Sequence, residues 1–266
     1  MSHSPQSLIS DKAEIGRNVS IGPFTVIHDN VKIGDGSRID SHCVIGEPTA
    51  NAEGKPLRIG EDARIRSHSV LYEGASIGDN LTTGHGILLR ELCEIGRFVQ
   101  IGSRSEIIGP CRIGDYSRLH SEVHIGEGTD IGRFVWLFPR INIPNDPFPP
   151  SHERDGVTIG DMAVIALGTI LLPGITVGKG SFVAAGSVVG SNVPAAHCVS
   201  GSPARVFSTL DRFRSLSHNL GYPWPDHFRR GYPEESISEM EEIASDIRQI
   251  VTELRNKRTK RRTSSD

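Results

Sequence analysis

Two histidines four residues apart, His120 and His124, stand shortly before a loop that carries Asn145 and Asp146. An imidazole is the side chain best suited to take up a proton near neutral pH, so each is a candidate general base or substrate-orienting group. The chain holds 11 His, so most of them must be bystanders. His124 precedes Ile125 directly, and Asn142 follows it by 18 residues, a separation that matters below. His120 and His85, the latter within "TTGHGILLRE", are the alternatives for the same role. For all three the plain alternative is an ordinary surface histidine.

What positions these groups is a repeat. Isoleucine or another aliphatic recurs every six positions from Ile9 to Ile45, from Ile59 to Ile143 (Thr83 the one polar entry) and from Ile159 to Val189. Period six suits neither an α-helix nor an amphipathic strand. It suits very short strands joined by tight turns, with glycine after the key residue supplying unusual backbone angles at the corner. Four residues after each key position sits something small or β-branched, such as Val19, Thr25 or Ser117. Three hexads close one triangular coil, so residues 18 apart stack at the inter-strand spacing of about 4.8 Å. His124 and Asn142 therefore share an outward-facing column. The expected fold is an all-β solenoid of about nine to ten parallel β-helical coils.

The clock stops twice. Residues 46–58 add eight residues to the expected six, and residues 144–158 add ten, in "PNDPFPPSHERDG". A β-helix is filled with aliphatics and has no cavity of its own, so a ligand must lie outside, against such loops. The second insertion is the expected substrate wall, and a tolerated surface insertion is the alternative.

The hexad pattern, with the closing stretch "IGDMAVIALGTILLPGITVGKGSFVAAGSVVGSNVPAAHCVSGSPARVF" at 159–207, resembles the left-handed β-helix of the hexapeptide-repeat acyltransferases. The segment "FPRINIPNDPFPPS" is similar to a loop of the nucleotide-sugar N-acetyltransferases acting on 3-amino sugars; Pro139, Asn145, Asp146, Phe148 and Pro149 match it, while Phe138 stands where that family often has Gly. The resemblance implies transfer of acetyl from acetyl-CoA, as co-substrate, to the amine of a nucleotide-linked amino sugar. It implies Asn145 and Asp146 on the substrate, and the register of the repeat adds His124 as candidate base and Asn142 as candidate substrate contact beside that loop. It implies small residues Ala166, Gly168, Ala184 and Ala185 along the CoA arm, and Arg205 of "GSPARV" on a CoA phosphate. Tight coil packing alone would also favour those Ala and Gly residues. A homotrimer with its sites between subunits is implied as well, with the Phe134–Val135–Trp136 run hinting at an exposed flat face for contact. O-acetyl or other acyl transfer to a hydroxyl is the alternative, and a non-catalytic solenoid scaffold is a rival of another class. The coil also resembles γ-class carbonic anhydrases, which need two His five apart and a third one to two coils earlier; His120 and His124 miss that spacing, so no metal is expected.

Composition bounds the rest. A formal charge of −3 argues against nucleic acid as a partner, and no apolar run approaches the roughly 20 residues of a membrane span, so a cytoplasmic protein is expected. Cys43, Cys93 and Cys111 fall in the small interior slot and read as buried hydrophobes; Cys93 and Cys111, one coil apart, are expected to be reduced. The β-helix is expected to span residues 1–205, followed by a helical extension, 206–266, with a basic tail. Within that extension Leu210, Phe213 and Leu216 have helical spacing, and Met240, Ile243, Ile247, Ile250 and Leu254 lie on one stripe.

Overall fold

A computed structural model describes residues 2–213 and 231–263. Strands mostly of two or three residues stack into three flat faces of twelve, ten and nine strands, with neighbours along each face parallel apart from one closing hairpin. Register follows the 18-residue period: Leu119 lies opposite Leu137, and His124 opposite Asn142. The key aliphatics fill the prism, and Ile45, Leu71, Ile107, Ile125 and Ile143 are all fully buried. This is the parallel solenoid that the repeat predicts, with the left-handed coil that the resemblance implies. Hydroxyls in the small slot bond to the next coil rather than stand idle. Ser105 Oγ donates to the His120 carbonyl at 3.1 Å and accepts from the Val123 N–H at 3.3 Å.

The glycines after the key positions act differently from the expectation. Gly102 does not take a left-handed conformation; a Cβ there would lie 2.3 Å from the carbonyl carbon of His120 on the next coil. Close approach of backbones selects glycine at that position. The left-handed angle falls two residues later, on side chains such as Phe24, Tyr116, Glu122 and Phe134.

The strand Ala204–Thr209 runs antiparallel to His197–Gly201 and closes the last coil. Leu210 and Phe213 follow it in turns rather than in the helix their spacing suggests, and Leu216 lies outside the described residues. The helix α1, Ser236–Thr263, runs along the prism from its middle coils toward the closing hairpin. Its predicted stripe is real: Met240, Ile243, Ala244 and Ile247 are buried against Tyr116, Phe134, Met162, Val164 and Cys198. Glu239 binds Arg97 and Arg133, and Lys179 meets Asp246. The basic end is partly engaged, since Asp211 accepts from both Arg255 and Arg258. This packing corrects one expectation. Phe134 and Val135 are fully buried, and Phe134 lies between Tyr116 at 4.7 Å and Tyr232 at 5.4 Å, so that run offers no exposed flat face.

Cys93 and Cys111 are free thiols whose sulfurs stand 3.5 Å apart in the interior. No described helix is long and apolar enough to cross a membrane.

Candidate functional site

Along the ten-stranded face the outward residues of successive coils are Leu88, Glu106, His124, Asn142 and Ile170. Three polar groups thus interrupt an apolar column. His124 Nδ1 lies 3.2 Å from Glu106 Oε2. A carboxylate can only accept, so this contact places the imidazole proton on Nδ1 and leaves the Nε2 lone pair for an incoming proton. Glu106 was not singled out from the sequence, although it stands 18 residues before His124 and the register rule that pairs Asn142 with His124 finds it equally well.

The loop 144–158 leaves this face at Asn142–Ile143 and re-enters the next at Thr158–Ile159. Its neck is pinned by the Asp155 N–H donating to the Asn145 carbonyl at 2.8 Å, and Arg154 lies 3.9 Å from Glu127. Asn145 therefore emerges three residues beyond Asn142, over Gly126, where a Cβ would meet the Asn145 Cβ at 3.0 Å. Asp146 is occupied by the loop itself: its carboxylate accepts from Ser151 Oγ at 2.6 Å, Ser151 N–H at 2.8 Å and Phe148 N–H at 3.0 Å. Phe148 stands at the tip, 79% exposed. The insertion at 46–58 leaves the same corner of the prism about five coils, roughly 24 Å, away. It folds back onto the coil through Thr49 N–H to Glu73 and Asn51 to Glu91, so it does not reach the His124 column.

The bonds to Ser151, its hydroxyl first, hold the Asp146 carboxyl below the usual carboxylate range. The sign follows. A depressed pKa means the loop gains from the carboxylate above the ordinary value and loses that support as pH falls through the folded value. Asp146→Asn should therefore speed hydrogen exchange at the Phe148 and Ser151 amides at neutral pH; unchanged protection would show that the carboxylate does not order the loop.

The corner between the twelve- and ten-stranded faces carries the other candidates. Backbone bonds stack His120, Phe138, Ala166 and Ala184 in one line, through His120 N–H to Leu137, Phe138 N–H to Ile165 and Ala166 N–H to Val183. Gly168 stacks above Pro139 by a 3.0 Å bond, with φ of +67° and open space where a side chain would be. Ala185 is exposed on the same ridge. His120 rests on Phe138 at 4.8 Å, and His85 lies lower on the ridge with Nδ1 2.9 Å from Ser67 Oγ. Arg205 sits on the closing hairpin, exposed, its Nη1 donating to the Ala204 carbonyl at 2.9 Å. Thus His124, Asn142 and the loop neck come together on one face. The small residues line the adjoining ridge, and Arg205 lies beyond them at the end of the coil. No cluster of three or more metal-ligating side chains exists among the described residues.

The bacterial transferase hexapeptide repeat, described by six repeats, matches residues 12–47. The bifunctional protein GlmU of Alkalilimnicola ehrlichii is 30% identical over 187 residues, covering 70% of this chain and 33% of that protein. GlmU of Herminiimonas arsenicoxydans is 31% identical over 183 residues, covering 68% of this chain and 36% of that protein. The chain thus spans about a third of the length of these curated relatives. Among solved structures, the UDP-N-acetylglucosamine acyltransferase from Campylobacter jejuni shares the fold, with a TM-score of 0.52 at 19% identity over 90% of this chain and 81% of that one. The left-handed β-helix defines the fold class. The chain carries the hexapeptide repeat over residues 12–47 and folds as a left-handed β-helix.

Proposed function

We propose that the chain is an acyltransferase that moves acetyl from acetyl-CoA to the amine of a nucleotide-linked amino sugar, working as a homotrimer in the cytoplasm. The observation that carries this is the Glu106–His124–Asn142 column beside the neck of the 144–158 loop. The fold relative from Campylobacter jejuni is named for a UDP-linked sugar, which accords with a nucleotide-sugar acceptor. The acceptor nitrogen attacks the thioester carbonyl, His124 Nε2 takes its proton, and collapse of the tetrahedral intermediate expels CoA as thiolate. Asn142 and Asn145 orient the acceptor, and Asp146 shapes the loop that holds it. Backbone N–H groups of the coil serve the oxyanion.

A second reading, transfer to a hydroxyl, is favoured by the Glu106 contact. A hydroxyl needs its proton removed during attack, and a carboxylate-oriented imidazole suits that task better than an amine requires. Incubating the protein with acetyl-CoA and panels of UDP- and dTDP-linked amino and hydroxy sugars, with mass analysis of the product, separates the two; no acetylated product with any acceptor would defeat both.

The Ala166–Ala184 ridge is the proposed bed for the CoA arm, with Arg205 on its phosphate. A charge-assisted hydrogen bond is worth about 1.5–3 kcal/mol, so Arg205→Ala should weaken CoA binding by roughly 10- to 100-fold in calorimetry. A non-catalytic scaffold would bind no CoA in either form.

A further inference from the structure

A concavity of about 330 Å³ opens on the twelve-stranded face, round the corner from His124. Its floor is a column in strict register, Thr82, Gln100, Arg118 and Trp136, one residue per coil. Its side is His120 with Ser121. Nothing in the proposed chemistry above uses these groups.

Arg118 is the unusual member. Its neighbours Arg97, Arg104, Arg133 and Arg140 are each paired with a carboxylate. Among the described residues Arg118 has no such partner. Its guanidinium lies instead 5.2 Å from the Trp136 ring and 3.9 Å from the Tyr232 ring, and it donates to the Gly231 carbonyl. Two aromatic faces and a carbonyl fix the group without neutralising it, so a permanent positive charge is pre-positioned at the edge of the concavity. His120 adds no second charge near neutrality, because partial desolvation, and then the Arg118 charge, hold its imidazole below the ordinary value. Beside that single cation are flat surfaces: the indole of Trp136, and the imidazole of His120 at 6.3 Å from it, braced from behind by Phe138. Gln100 and Thr82 supply donors and acceptors below.

One fixed cation, adjoining aromatic planes and a carboxamide fit one chemical class, an anionic group attached to a planar, hydrogen-bonding ring. The volume is at the small end of ligand sites, suited to one ring with its phosphate rather than a whole nucleotide sugar. We infer that this concavity is a nucleoside-phosphate subsite, with Arg118 on the phosphate, Trp136 and His120 against the base and Gln100 on the base edge. The inference rests on the proposed acyltransferase reading for its role, and two sources offer this chemistry: the pyrimidine nucleotide of the acceptor, or the adenosine phosphate of CoA.

The test is calorimetric titration of the full chain with UDP, dTDP, adenosine 3′,5′-bisphosphate and inorganic phosphate, repeated on Arg118→Gln and Gln100→Ala. At least one nucleotide should bind. Arg118→Gln should weaken it tenfold or more and Gln100→Ala several-fold, while Arg205→Ala leaves a pyrimidine nucleotide unaffected. The exposed side chain of Gln100 supports no packing, so its variant stays informative even if Arg118→Gln destabilises the protein. Dependence on both residues for UDP or dTDP assigns the subsite to the acceptor; the same dependence for the adenosine bisphosphate assigns it to the donor. No nucleotide binding, binding indifferent to both variants, or phosphate alone binding as tightly as the nucleotide overturns it. Acetyl-CoA turnover measured in parallel keeps the two ideas separate, since turnover without Arg118 dependence defeats only the subsite.

Discussion

Replacing His124 by Ala should lower turnover by roughly 10²–10⁴-fold, the range a positioned general base supplies, while leaving the KM for acetyl-CoA unchanged. In the proposed mechanism His124 serves the acceptor, and the proposed CoA ridge lies on the adjoining corner. The size of the loss is itself diagnostic. An amine that arrives unprotonated attacks unaided and needs a base only for the proton it sheds, which places the loss at the low end. A hydroxyl requires the base during attack, which places it at the high end. Glu106→Gln should cost less than His124→Ala, because the amide oxygen can still accept from Nδ1–H and preserve the tautomer. A His124→Ala variant as active as the parent would remove the imidazole from the mechanism altogether.

Much of this geometry is legible in the sequence because one physical rule generates it. Every sixth residue faces the interior and every eighteenth stacks, so Ile125, Asn142 and the relation of Ala166 to Ala184 follow from counting. Glu106 obeys the same rule, standing 18 residues before His124. The stripe on α1 was equally plain, since Met240, Ile243 and Ile247 repeat with helical spacing. The surface that the stripe covers was hidden. Phe134 looks exposed from its place in the hexad, and its cover comes from Tyr232, nearly a hundred residues later and joined to Trp136 by a 2.8 Å bond from the indole N–H to the phenol. No local periodicity encodes such a contact. The use of Asp146 was also out of reach, because a carboxylate in a Pro-rich loop reads the same whether it faces a ligand or caps its own turn. Glycine carried a third ambiguity: the sequence marks where a side chain is intolerable, and only the stacked backbones reveal that proximity, rather than a left-handed angle, is the reason.

The same counting identifies where a single cavity should do most damage. Ile125 is fully buried directly beside His124, between Ile107 and Ile143 on the adjoining coils. Ile125→Ala should cost about 2–5 kcal/mol, which for a chain of this size lowers the melting midpoint by roughly 4–20 °C. In a solenoid each coil touches only its neighbours, so the position of the defect governs its consequence. Ile21→Ala removes the same atoms from a coil near the start of the prism, where Ile21 is also buried. There the terminal coils can fray without parting the rest, and the principal transition should barely move. At Ile125 the lost contacts sever two halves of the stack, and no end is near enough to absorb the gap. The catalytic readout should separate the pair further. Ile125→Ala loosens the rung that aims Nε2 and should lower kcat well below its own melting range, whereas Ile21→Ala should leave kcat unchanged. Equal losses of stability at the two positions would mean that the prism melts as one cooperative block. Equal losses of activity would mean that the rung beneath His124 plays no special part in orienting it.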